Sequence, residues 1–326
     1  MRAELAVDLL GADRPEQELC RGAAQALLET RANELFLHVC GHPAVICGVM
    51  EQYGVSPDRY AAVDAPTAIT ADMAPAEACR IGDASLVRGL RLCADHPEIG
   101  GLITCGVTGA VVMGAITVLG RVGRMRPVLL CELKNGQDRS ICLLDCGANV
   151  DCRPELYVSF ARLGDAYMRA VGCADPRVAL LSNGAEDEKG CAAVKAAHAL
   201  LRREPLHFIG NVEGSDALSG RADVVVCDGF HGNILLKSTE GIARAVIDEA
   251  RQRLAAAGVS DPQVEEILAG VRRRYDYNTQ GGATLLGVRR PVMKGHGAAT
   301  GETVRNMIAR MRLLAGQDLY ATLAEQ

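Results

Sequence analysis

Residues 100–120 read GGLITCGVTGAVVMGAITVLG, a stretch of 21 residues without one charged side chain. As a helix that length would span a bilayer. Six glycines, Gly100, Gly101, Gly106, Gly109, Gly114 and Gly120, oppose one continuous helix and divide the stretch into a strand (Leu102 to Cys105), a tight loop and a helix. A strand without polar alternation, then a glycine turn, then an apolar helix, fits a sheet whose two faces are both covered. Burial inside the protein accounts for the missing charges.

Working outward, apolar runs of the same character recur at LAVDLL, LFLHVC, PVLLCEL, ICLLDC, RVALLS, HFIGNV and ADVVVCDG, most of them separated by enough residues for a helix. This alternation predicts an α/β protein, a three-layer α/β/α arrangement around a largely parallel sheet. No Pro/Ser-rich linker, low-complexity tract or internal repeat divides the chain, so residues 1–326 are expected to form a single domain. Between residues 237 and 275 the pattern changes. Ile242, Val246, Ile247 and Leu254 follow a helical period, GVSDP interrupts, and Val264, Ile267, Leu268 and Val271 resume it. A pair of helices joined by a turn is expected, packed in the core or at a subunit interface. Docking on a membrane or a carrier protein is the other reading, and Asp261, Glu265 and Glu266 near the turn weaken it.

With 326 residues, 49% of them hydrophobic, the chain can bury a substantial core. A formal net charge of −5 and the lack of a clustered basic segment exclude a general nucleic-acid binder. Thirteen cysteines lie scattered, several inside apolar strands as at Cys105, Cys131 and Cys227, and no CxxC pair or zinc-type spacing occurs. They read as small buried hydrophobes in a reducing cytoplasm, with no metal expected. The opening segment ELAVDLL has neither the basic stretch nor the cleavage site of a secretory signal, so no export is expected.

Polar, glycine-containing loops fall where the strands end: DLLGAD, CGVTGA, DCGANVDC, SNGAEDEKG and CDGFHGN. In parallel sheets ligands bind outside the carboxyl ends of the strands, where glycine admits close backbone approach and following helices present N–H groups. Lys189 in EDEKG, Lys237 in FHGNILLK, and Lys294 with His296 in VMKGHG add cations to these loops. Lysines and backbone N–H groups together make an anion site. For Lys294 a structural salt bridge is the competing reading, and for His296 a bond to a neighbouring loop competes with proton donation. Asp145, Asp151, Asp228 and Glu213 sit in turn-type loops, where carboxylates more often fix the backbone than act as bases or metal ligands. The GxSxG, GxxxxGK[ST] and GxGxxG patterns are missing, which removes the main support for hydrolase, ATP and dinucleotide readings. The residues by themselves point to an α/β enzyme with an anion-binding crevice.

In family order the chain carries DLLGAD, CGVTGA, RPVLL, LLDCGANVDCRPE, PRVALL, EDEKG, FIGNVEG, DVVVCDGFHGNILLKSTEG, GGATLLG and KGHGAA. End to end it resembles the phosphate acyltransferase (PlsX) family. Asp8, Gly11, Asp13, Gly106, Thr108, Gly109, Asp145, Gly147, Asn149, Asp228, Gly229, Gly232, Asn233, Lys237, Lys294 and His296 fall on family motif positions. The resemblance implies a fold similar to the isocitrate and isopropylmalate dehydrogenases and a homodimer. It implies transfer of a fatty acyl group from acyl carrier protein to inorganic phosphate, giving acyl phosphate for phospholipid synthesis without a cofactor. Lys294, His296 and Lys237 are expected at the chemistry. Gly11, Asp13, Gly106, Thr108, Gly109, Asn149, Lys189, Gly232 and Asn233 are expected to bind phosphate or substrate. A cytoplasmic location is expected, with peripheral contact at the inner face of the membrane left open.

The chain departs from the family in its loops. Val107 stands where the family has Asn, Ala12 where it has Gly, LLSNGAE replaces LLNIGEE, and PAEACRIGDASL is one residue short, keeping Arg80 and Ser85. Two alternatives stay open: a non-catalytic relative that binds carrier protein or phosphate, and a phosphotransacetylase-like enzyme that uses acyl coenzyme A.

Overall fold

In the computed structural model, residues 2–135, 139–275 and 281–315 are described. The chain packs into two compact units. The first comprises Met1–Leu129, Arg169–Cys173 and Gly281–Gln326, and the second Leu130–Met168 and Ala174–Gln280.

Among the described residues the strands, in chain order, are β1 (Ala3–Asp8), β2 (Leu35–Gly41), β3 (Tyr60–Asp64), β4 (Ile99–Thr104), β5 (Val128–Lys134), β6 (Ser140–Leu144), β7 (Val178–Leu181), β8 (Phe208–Val212), β9 (Val224–Val226), β10 (Ala283–Leu286) and β11 (Val292–Lys294). In the first unit they run β3-β2-β1-β4-β11-β10, parallel except for the β10–β11 hairpin. In the second the order is β5-β6-β9-β7-β8, parallel except for β5 against β6. The α/β class and the largely parallel sheet follow from the sequence as expected.

β1 shows why its run is apolar throughout. Leu5, Ala6 and Val7 are all fully buried although they alternate between faces. The two faces can be traced at β4. A Cβ on Gly101 would stand 2.8 Å from Met311 Sδ on the helix Gly301–Ala315. On the opposite face Leu102 reaches the helix Ser85–Asp95, its Cδ1 within 2.6 Å of a Cβ built on Gly89. Helices therefore cover both faces, with Gly89 and Gly101 setting how closely each approaches. In the second unit the helix Pro154–Ala170 lies on the sheet through Gly164, against Val224 and Leu144.

The quoted stretch resolves into β4, a loop at Cys105–Val107, a helix from Thr108 to Gly114 and a wider π-type turn through Ala115–Leu119 that stops at Gly120, where φ is +76°. No described helix is long and apolar enough to cross a membrane. Cysteines are mostly interior: Cys20, Cys40, Cys93, Cys105, Cys131, Cys142, Cys146, Cys152 and Cys227 are buried.

The helical pair is present as Gly229–Ala256 and Asp261–Tyr275. Its first helix starts eight residues before Lys237, because Asp228 caps it. Gly258, at φ +79°, makes the turn, with Val259 N–H returning to the Leu254 carbonyl. Ile247, Val264 and Leu268 bury themselves between the two helices. Ile242, Val246, Ile267 and Val271, on the same helical period, stay exposed.

Candidate active site

Three strands of the first unit end side by side. Asp8 closes β1, Thr104 closes β4 and Lys294 closes β11, and the registers pair Asp8 with Thr104 and Lys294 with Thr104. The loops that follow are drawn together by backbone bonds. Gly295 N–H donates to the Thr104 carbonyl at 2.8 Å, and Asp13 N–H donates to the Gly297 carbonyl at 2.7 Å. Gly11 adopts φ +85°, and a Cβ there would lie 3.2 Å from Gly106 Cα and 3.3 Å from the Ile69 carbonyl oxygen. Only glycine fits both the backbone angle and the space.

These loops enclose a cavity of about 480 Å³. Gly11, Ala12, Asp13, Gly106, Val107, Thr108, Lys294 and Gly297 line it, together with the segment 68–71. Lys294 is half-buried and supplies the ammonium. Thr108 opens a helix, whose first turn offers N–H groups and the positive end of its dipole. The residue before it, Val107, is the N-cap and makes no side-chain cap bond. An Asn at this position could accept one of those N–H groups.

Below the cavity lies Asp8, 2% exposed. Its Oδ2 accepts from the Thr104 hydroxyl at 2.7 Å and its Oδ1 from Leu10 N–H at 3.0 Å. Burial pushes the Asp8 carboxyl up to about 6, although hydrogen bonds from Ser85, Thr104 and Leu10 pull the other way. His296 Nδ1 accepts the Ala298 N–H at 3.2 Å, so the neutral ring carries its proton on Nε2. His296 is not among the lining residues, and Gly109 turns instead toward Pro75, 3.1 Å from a Cβ built on it.

The second unit holds the other expected residues. Asp145 is fully buried and its carboxylate gathers the N–H groups of Gly147, Ala148 and Asn149 together with the Asn149 side-chain amide. The Asn149 carbonyl in turn accepts Gly229 N–H at 2.7 Å. Asn149 thus works inside the loop, and Gly232 packs its backbone on the Asp145 carbonyl. Asn233 and Lys237 are exposed on the helix Gly229–Ala256, where Lys237 Nζ is 2.9 Å from Glu240 Oε2. Lys189 is exposed beside Gly184.

Of the twelve expected site residues, then, Gly11, Asp13, Gly106, Thr108 and Lys294 share one cavity, with His296 on its loop. Gly109 faces Pro75 outside the cavity lining, Asn149 and Gly232 belong to a second centre, and Lys189, Asn233 and Lys237 lie on exposed surface of the second unit.

Two constellations were not foreseen. One is the Asp8–Thr104 pair. The other surrounds Asp228, which caps its helix by accepting Phe230 N–H and His231 N–H, and whose Oδ2 lies 3.0 Å from Tyr157 Oη and 2.7 Å from His231 Nδ1. Burial and then the Asp228 charge push the Tyr157 phenol upward, so it stays protonated. Tyr157, Asp228 and His231 line a cavity of about 590 Å³ with apolar walls from Leu181, Val194 and Ile234. The i,i+3 spacing of Asp228 and His231 was the available signal. Among the described residues no group of three or more His, Cys, Asp or Glu side chains is placed to hold a metal.

A family model described as "Fatty acid synthesis protein" matches residues 3–321. A phosphate acyltransferase from Geobacillus thermodenitrificans is 35% identical over 324 residues, covering 98% of this chain and 97% of that protein. One from Syntrophomonas wolfei is 37% identical over 306 residues, covering 93% and 91%. Among solved structures, the phosphotransacetylase EutD from Staphylococcus aureus superimposes with a TM-score of 0.60 at 16% identity, over 97% of this chain and 94% of its own. A 4-hydroxythreonine-4-phosphate dehydrogenase from Klebsiella pneumoniae gives 0.54 at 11% identity, over 97% and 100%. At these identities the structural likeness shows the shared dehydrogenase-like α/β fold.

Proposed function

This chain is an acyltransferase that belongs to the fatty acid synthesis protein family, and from that premise we propose that it transfers a fatty acyl group from acyl carrier protein to inorganic phosphate. The observation that carries the reading is the cavity at the ends of β1, β4 and β11, where the Lys294 ammonium and the first turn of the Thr108 helix face one space. Both suit a phosphate dianion. A phosphate oxygen adds to the thioester carbonyl, the C–S bond breaks, and the products are acyl phosphate and the free thiol of the carrier.

Phosphate needs no strong base near neutral pH, since by analogy with phosphate esters its second ionisation lies near pKa ~6. The departing thiolate does need a proton, because alkyl thiols ionise near pKa ~8.5. His296, two residues beyond Lys294 on the loop after β11 and with its proton on Nε2, is the proposed donor. His296→Gln is expected to lower turnover at saturating substrates by roughly tenfold while leaving thermal stability within error. Unchanged turnover would assign His296 to holding its loop through Ala298.

The same reading makes the protein a cytoplasmic homodimer. The exposed Ile242, Val246, Ile267 and Val271 support a covered face on the helical pair, and peripheral membrane contact is the alternative cover.

The deciding experiment is acyl phosphate formation from purified protein, phosphate and palmitoyl carrier protein, trapped with hydroxylamine and run beside palmitoyl coenzyme A. Phosphate-dependent product from the carrier protein is expected. Preference for coenzyme A would move the enzyme toward the phosphotransacetylases, whose fold it shares. No product from either donor, with folded protein, would sink the catalytic reading and direct attention to Val107.

A further inference from the structure

Asp8 is bonded directly to one loop of the phosphate cavity and, through the Thr104 hydroxyl at the end of β4, to the other. Leu10 N–H donates to its Oδ1 at 3.0 Å, fixing the loop that leads to Gly11 and Asp13. On the other side the Thr104 hydroxyl donates to Oδ2 at 2.7 Å and accepts Gly106 N–H at 3.0 Å. A hydroxyl has one proton. When that proton is committed to a carboxylate, which can only accept, the lone pairs of Thr104 Oγ1 are left for Gly106 N–H.

A protonated Asp8 reverses the logic. It has a proton to place, and the Thr104 and Ser85 hydroxyls are its acceptors; a proton given to Thr104 Oγ1 turns the Thr104 hydroxyl proton away from Asp8 and leaves one lone pair to Gly106 N–H. We propose that Asp8 is a positioning residue for phosphate: in its ionised form it sets, through Leu10 and through Thr104 and Gly106, the backbone that receives the anion. This rests on the phosphate-dependent acyltransferase reading above and adds a residue to it.

The groups around Asp8 bear on where it ionises. Glu16, from the helix Glu16–Leu28, adds a like charge. Cys40 stands opposite in register on β2, and Cys105 follows β4, both as thiols whose ionisation is pushed up by burial first and by Asp8 second. Ser85 donates from the helix Ser85–Asp95, where Arg88 acts on Cys40, and Lys294 on β11 acts on Cys105. With burial dominant, the Asp8 carboxyl at about 6 changes charge inside an ordinary assay range.

The test compares wild type, Asp8→Asn, Thr104→Val and Thr104→Ser between about pH 5 and about pH 8, a range that brackets the Asp8 ionisation. Phosphate itself titrates there, so the readout is the ratio of variant to wild type. At the upper pH Asp8→Asn is expected to raise the KM for phosphate about tenfold, the scale of one lost backbone hydrogen bond, with the thioester KM within about twofold. Toward the lower pH the ratio should fall to about one, since the wild type then carries a neutral side chain as well. Thr104→Val should raise the phosphate KM, and Thr104→Ser, which keeps the hydroxyl, should retain the wild-type pH dependence. A ratio that does not change with pH, or equal losses for both substrates, overturns the inference.

Calorimetric titration with inorganic phosphate makes the same comparison without turnover. If wild type makes no acyl phosphate but its phosphate affinity still differs from that of Asp8→Asn in the expected way, the acyltransferase reading fails and Asp8 keeps its role. Equal affinities at both pH values overturn the Asp8 role alone. No phosphate binding by folded wild type overturns both.

Discussion

Gly232→Ala is expected to destabilise the second unit by about 3 kcal/mol, at the upper end of what forcing one methyl group into a packed position costs. Gly232 sits in the first turn of the helix Gly229–Ala256, donating its N–H to the Asp228 carbonyl at 2.9 Å. A Cβ there would run into the Asp145 carbonyl oxygen and stand 2.7 Å from Cys227 Sγ. The first obstacle is backbone, and it is backbone already fixed by the bonds that the Asp145 carboxylate makes to Gly147, Ala148 and Asn149. Relief would require the helix to lift from the strand ends or the loop to come apart. The same helix supplies its own control at Gly241, where an added Cβ meets nothing within 4 Å. Gly241→Ala should stabilise by about 0.5–1 kcal/mol from helix propensity alone. Urea denaturation of the two variants should therefore move in opposite directions, and a shift of the same sign in both would refute the packing argument.

Lys294→Ala is expected to raise the phosphate requirement by roughly ten- to a hundredfold, corresponding to about 1.5–3 kcal/mol for a hydrogen bond to a charged group. The thioester KM should change far less. Lys294 ends β11, opposite Thr104 in the register, and reaches the cavity half-buried, where its charge is screened less than on open surface. Lys294→Arg, which keeps the charge but replaces a point cation by a planar fork, should recover part of the loss. Initial rates with phosphate and acyl thioester varied in turn check this. A loss confined to the thioester would move Lys294 to the acyl donor.

The elements most legible in the sequence were those whose cause is local. Leu5, Ala6 and Val7 are apolar without alternation because both sides of β1 are covered, and that pattern can be read within a few residues. The start of the long helix was read late. Its first turn, GFHGN, has the composition of a loop, and only the Asp228 side chain, bonded to two N–H groups, makes it a helix terminus. Helical period likewise marked Ile242 and Val246 together with Ile247, yet only Ile247 is covered by the second helix. Periodicity gives a face but not what lies against it.

The site was legible as motifs rather than as geometry. Gly11, Gly106 and Lys294 meet because β11, drawn from the far end of the chain, lies next to β4 and β4 next to β1. No local pattern encodes that order: strand-end position and charge marked the three loops one by one as candidates for binding, and only the sheet order brings them to one cavity. The tie between Asp8 and Thr104 is equally non-local. By contrast Asp228 and His231 are three residues apart, and their pairing could have been read from the sequence had the segment been recognised as helix.

The strand order also bears on biogenesis. β4 is the outer strand of the N-terminal set β3-β2-β1-β4, and its free side is covered only when β11 pairs with it. While the ribosome is still producing the second unit, the nascent chain therefore carries a half-built sheet with open hydrogen-bonding groups along β4, the kind of edge on which neighbouring chains can aggregate. Lys294 arrives on the same segment that closes this edge, so the event that protects the emerging polypeptide from self-association is also the one that completes the cavity proposed to receive phosphate.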